Sequence, residues 1–128
     1  MDVHTPVSPS DTAPQRYVIR GDGDRPLIFH GWLIGTGQRA RRCRGARVSI
    51  FGTEKGSVIV QVHRWNVCAR PRRDSYSSAV FDTRHGPEDA LNWMRDSSGR
   101  VGRPGRDAWA QACRNWRTAL RVGEEVVR

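Results

Sequence analysis

The chain has 128 residues, a net charge of +9 and 37% hydrophobic residues. That length suits one domain with a modest core, and no apolar run approaches the ~20 residues that span a bilayer. No basic-then-apolar leader opens the chain, so the expectation is a cytoplasmic protein.

Residues 1–15 contain three prolines and many small polar residues. They bury too little apolar surface to offset the entropy of ordering, so a disordered tail is expected, with the domain spanning 16–128. Arg16–Arg20 reads as a short strand. Gly21-Asp22-Gly23-Asp24 with Pro26 reads as a turn. It lacks the further oxygen ligands and the late Glu of a calcium loop.

Leu27–Gly35 is the next expected strand. Leu27, Phe29 and Leu33 share one face; Ile28, His30, Trp32 and Ile34 share the other, as in a strand covered on both sides. Gly31 and Gly35 mark a bulge or a close backbone approach. The spacer Gln38–Ala46 shows no apolar period and is expected as an exposed loop.

Arg47–Cys68 holds a hairpin whose register is readable. Glu54-Lys55-Gly56 suits a three-residue turn with Gly56 in the left-handed conformation. Thr53 then faces Ser57, Gly52 faces Val58, and the pairs continue to Arg47 with His63. Paired residues share a face. One face is Val48, Ile50, Val58, Val60 and Val62, a core surface. The other is Arg47, Ser49, Phe51, Ile59, Gln61, His63 and Trp65, expected to stay at least partly open.

Arg70–Ser75 reads as a second basic loop and Ser78–Thr83 as a short strand. Pro87 suits a first helical position, with Glu88 and Asp89 in the first turn, for a helix running to about Asp96. Gly99–Gly105 is expected as a loop. A second helix, Arg106–Arg121, carries Trp109, Ala112, Cys113, Trp116 and Leu120 at helical spacing beside an arginine stripe. Gly123–Arg128 extends it or frays. Strands followed by helices predict an α+β fold: a small antiparallel sheet of four to five strands with two C-terminal helices packed on its valine face.

The pattern Phe29-x-Gly31-x-x-Ile34-Gly35, then Ile50-Phe51-x-Thr53-x-x-Gly56 and a valine strand, resembles small actinobacterial proteins called EXLDI proteins. The similarity covers residues 27–65, and the Ala-rich segment around Ala108–Cys113 resembles related small proteins. It implies a bacterial origin and no established activity.

Charge carries the functional reading. Between Arg39 and Arg73 stand ten bases and one acid, Glu54, whereas the rest of the chain holds twelve of each. Lys55 is the only lysine, a coding bias that explains arginine over lysine but not the clustering. The antiparallel hairpin should bring Arg39, Arg41, Arg42 and Arg44 near Arg70, Arg72 and Arg73. With Arg47, Phe51, His63, Arg64 and Trp65 they form the candidate binding set, because arginine neutralises phosphate and exposed aromatics stack on bases. The expected partner is nucleic acid. The alternative is an acidic protein surface, bound by an accessory subunit or an inhibitor from a phage or mobile element; an Arg- and Trp-bearing surface suits interface hot spots equally well. Of the five tryptophans, Trp32, Trp93, Trp109 and Trp116 are expected in the core and Trp65 on the surface.

No nucleophile motif or acid pair indicates catalysis, so no catalytic residue is assigned. His30, His63 and Cys68 lack metal-ligand spacing, and neither a metal nor another cofactor is expected. Cys43, Cys68 and Cys113, an odd number without a C-x-x-C pair, are expected as reduced thiols.

Overall fold

The computed structural model describes residues 5–21, 25–85, 88–117 and 119–120. Five strands form one antiparallel sheet in chain order: β1 (Gln15–Arg20), β2 (Pro26–Arg41), β3 (Arg44–Thr53), β4 (Ser57–Asn66) and β5 (Arg73–Asp82). A 3-10 turn at Thr83–His85 leads to α1 (Glu88–Met94), and α2 (Arg103–Asn115) follows. The α+β order is the expected one. Residues 22–24 of the Gly-Asp turn, Pro87, Arg121 and 123–128 lie outside the described residues.

The β3–β4 hairpin has the register derived from its turn. Gly52 pairs with Val58, Phe51 with Ile59, and so on to Arg47 with His63. Gly56 sits at φ +85°, where a side chain is strained, and its N–H donates to the Thr53 carbonyl. Val48, Ile50, Val58, Val60 and Val62 are all buried in the larger core.

The helices cover that valine face. Ala108, Trp109 and Ala112 of α2 and Ala90 of α1 are buried against it, with Trp32, Trp93 and Trp116 packed at its margin. Glycine makes the close contact between α2 and β2. A Cβ on Gly35 would lie 2.1 Å from the Ala108 carbonyl oxygen, and one on Gly37 2.0 Å from that of Pro104. The second helix starts earlier than periodicity suggests, within the expected loop. Pro104 stands in its first turn, where no N–H is required. It also ends earlier. Trp116 leaves the helical conformation and lays its ring on Gly52.

A bulge between Leu33 and Gly35 bends β2. Such a bulge leaves backbone groups outside the ladder, and side chains from elsewhere satisfy them. Asn115 Nδ2 donates to the Ile34 carbonyl, and the Thr36 N–H donates to Gln111 Oε1. The Leu33 N–H donates to the Tyr17 hydroxyl, and the Leu33 carbonyl accepts from Val7 N–H. The stretch expected as a disordered tail is thus engaged from Val7 onward. Trp32 Nε1 donates to the Thr12 carbonyl, and Ser8 Oγ to that of Asn115.

The opposite face is not a flat platform. β1 pairs with Pro26–Gly31 and β3 with Gly31–Arg41, so the two halves of β2 belong to different hairpins. The sheet curls until β1 approaches β5. Gln61 Nε2 donates to the Arg20 carbonyl, and the Arg20 guanidinium lies 5.0 Å from the Tyr76 ring centre. The concave side has its own small core of Leu33, Phe51 and Ile59, flanked by Tyr17, Ile19, Leu27 and Phe29. Ile28 is over half exposed, at 56%, so the first half of β2 is covered on one side only.

Candidate nucleic-acid interface

The expected basic spacer is not a loop. β2 runs to Arg41 and β3 starts at Arg44, leaving Arg42 and Cys43 as the turn, with Arg42 at φ +45°. Arg39-Ala40-Arg41 alternates long and small residues, which is strand periodicity written without apolar residues, whereas Arg44-Gly45-Ala46 shows no alternation. The apolar pattern is missing because these strand ends extend past the helices. The second basic loop is shorter than expected for the same reason, since β5 begins at Arg73.

The ladder sorts these arginines by face. Arg41 pairs with Arg44, Arg44 with Asn66, and Asn66 with Arg73, forming one row across four strands. Two residues further in, Arg39, Ala46, Arg64 and Ser75 form the next row on the same face. The third row is Gly37, Val48, Val62 and Ser77, where α2 begins to cover the sheet. Five arginines therefore stand in two consecutive rows on the helix-side face, just beyond the helix. A row of four strands spans ~14 Å and the rows lie ~7 Å apart.

Arg39, Arg41, Arg44, Arg64 and Arg73 are exposed and, among the described residues, have no carboxylate partner. They line an open hollow of about 920 Å³. Pro104 lines it too, so α2 starts beside the rows and the positive end of its dipole adds to their field. Like charges held this close repel.

Arg72, its partner Asp74 and Trp65 also line this hollow, and the other candidates lie elsewhere. Arg42 and Arg70 are exposed at the turn and the β4–β5 connection. Arg72 is bonded through Nε and Nη2 to the Asp74 carboxylate, which neutralises it locally. Those bonds and one from His63 hold the Asp74 carboxyl below the usual carboxylate range. Arg47 lies on the concave face and donates through Nε to Gln38 Oε1.

Phe51 does not belong to an exposed platform. It is 5% exposed, with ring centres of Tyr17 and Phe29 at 4.9 and 5.3 Å. The aromatic β1–β2 hairpin folds over it, a contact between segments distant in sequence. His63 stacks on Tyr76 at 4.3 Å and donates through Nε2 to Asp74 Oδ1 at 2.8 Å. Trp65 is half-buried, with its ring over Gly45, on the face opposite the arginine rows. Asn66, Ser75 and Pro104 were missed by the sequence reading, although the hairpin register alone places Asn66 opposite Arg44.

Two of the three cysteines are not thiols. Cys43 and Cys68 form a disulfide with Cα atoms 5.2 Å apart. Extending the hairpin ladder past Arg44 and Asn66 puts Cys43 opposite Val67, whose N–H donates to the Cys43 carbonyl; Cys68 is the next residue, and its N–H donates to Asn66 Oδ1. Counting cysteines missed a pair that the register brings to within one residue of each other. The cross-link ties the ends of the two arginine-bearing segments. Cys113 is free and half-buried, and burial raises its thiol pKa.

Among the described residues no three His, Cys, Asp or Glu side chains gather at metal-binding reach, and no helix is long and apolar enough to cross a membrane. No protein-family model, curated protein or solved structure matches the chain.

Proposed function

We propose that the protein binds nucleic acid, without catalysis, by laying the phosphate backbone across its two arginine rows. The observation that carries this reading is five arginines from four strands, ordered in consecutive rows and free of carboxylate partners among the described residues. A sheet holds their backbone at fixed spacing, so less backbone freedom is lost on binding than on a mobile loop. Arginine offers a planar fork of donors matched to phosphate oxygens. The rows present charge rather than a pattern of base-reading side chains, so affinity should follow phosphate more than sequence.

Fluorescence anisotropy with labelled single- and double-stranded oligonucleotides at low salt tests the reading. Wild type should bind. Changing Arg41, Arg44 and Arg64 together to alanine should weaken binding by about tenfold or more for all sequences alike. Changing Arg72 to Ala and Asp74 to Asn together, which removes a neutral pair, should change it little. No binding by wild type, with an acidic protein retained in stoichiometric amount instead, would favour the protein-partner alternative.

A further inference from the structure

We propose that the concave face of the sheet is a second, separate site, for a small aromatic anion. The curl is filled at one end by Leu33, Phe51 and Ile59 and left hollow beyond them. The hollow measures about 820 Å³. Its apolar end is the buried Phe51 with Leu33 and Tyr17; its polar end holds Arg47, Ser49 and Gln61. Apolar walls with a few converging polar groups are the ordinary composition of small-molecule sites.

The chemistry of the lining selects the ligand. No carboxylate is among the described residues lining the hollow, while Arg47 and Arg16 are. Among the described residues only one of Arg47's five N–H donors is engaged, by Gln38. The guanidinium therefore keeps donors in a fork suited to a carboxylate, sulfonate or phosphate. Arg47 and Phe51 are four residues apart on β3, so the anion and the apolar end are separated by ~13 Å along the strand. Ser49 lies midway on the same face, opposite Gln61. A flat ring system seated at the Phe51 end, with its charged group reaching towards Arg47, uses both ends at once.

This site does not rest on the nucleic-acid reading, since it lies on the other face of the sheet. The probe is anilinonaphthalene sulfonate, a planar aromatic anion, titrated by calorimetry and fluorescence into the folded protein at moderate salt. The expected result is saturable binding of one molecule per chain. Arg47→Gln should weaken it by about tenfold, as for loss of one charge-assisted contact. Ser49→Trp should fill the hollow and abolish it, with circular dichroism confirming the fold. Arg41, Arg44 and Arg64 changed together to alanine should leave it unchanged. Unsaturable binding, equal binding by wild type and Arg47→Gln, or loss in the triple variant alone would overturn the proposal.

Discussion

Glycine shows at the residue scale how two identical residues serve different physics. Gly56 needs its positive φ and has open space where a Cβ would stand. Gly56→Ala should therefore cost only the left-handed strain, about 1–2 kcal/mol. Gly35 has ordinary backbone geometry but no room beside the Ala108 carbonyl. Gly35→Val should force α2 from β2 and cost about 3 kcal/mol, the upper part of the overpacking range. Urea unfolding of both variants checks the order; a larger loss at Gly56 would contradict the packing described. Asp74 makes a pH-dependent case. Its pKa is lowered by hydrogen bonds from Arg72 and then His63, so its stabilisation is present above the ordinary aspartate value of ~4 and fades as pH falls through the folded value. Thermal melts should show wild type above Asp74→Asn at neutral pH, the gap narrowing in acid; a gap constant down to about pH 3 would rule this out. Gly56 was legible in the sequence because its turn is local. Phe51 was misread because the aromatics that bury it, Tyr17 and Phe29, arrive from another hairpin.

Elements behave according to how local their determinants are. The β3–β4 hairpin was legible to the residue, since one turn and one run of alternating aliphatics set its register. The strand ends rich in arginine read as loops in the sequence, because they carry no apolar face. The N-terminal stretch was read as a tail, because the β2 bulge that receives Val7 has no local sign beyond Gly31 and Gly35. The hairpin ladder, extended, puts Cys43 opposite Val67, one residue short of its disulfide partner Cys68. The disulfide closes a loop with a sequence separation of 25, for which chain entropy gives about 3 kcal/mol. Replacing Cys43 and Cys68 together by serine should lower stability by about that amount while leaving the valine core intact. Thiol titration without reductant should find one slow-reacting group, Cys113, whose burial disfavours the thiolate. Three reactive thiols before reduction would refute the cross-link.

For the whole molecule, the fold divides its charge from its core. The curled sheet gives one face to the helices, the other to a second small core, and leaves one end of the helix-side face to arginine. The charge count located the basic segment, but not which face presents it. Face depends on strand parity across four strands, and the arginine-bearing ends of three of them read as loops in the sequence. The central claim is that Arg39, Arg41, Arg44, Arg64 and Arg73 act as one phosphate-binding surface. The most direct measurement is the slope of log affinity against log salt for an oligonucleotide, in wild type and in the variant with Arg41, Arg44 and Arg64 changed to alanine. Each phosphate contact contributes about 0.7 to the slope for single strands and about 0.9 for duplex. The variant's slope should therefore be shallower by about two units, with the loss of affinity the same for every sequence. Equal slopes in the two proteins would contradict the claim.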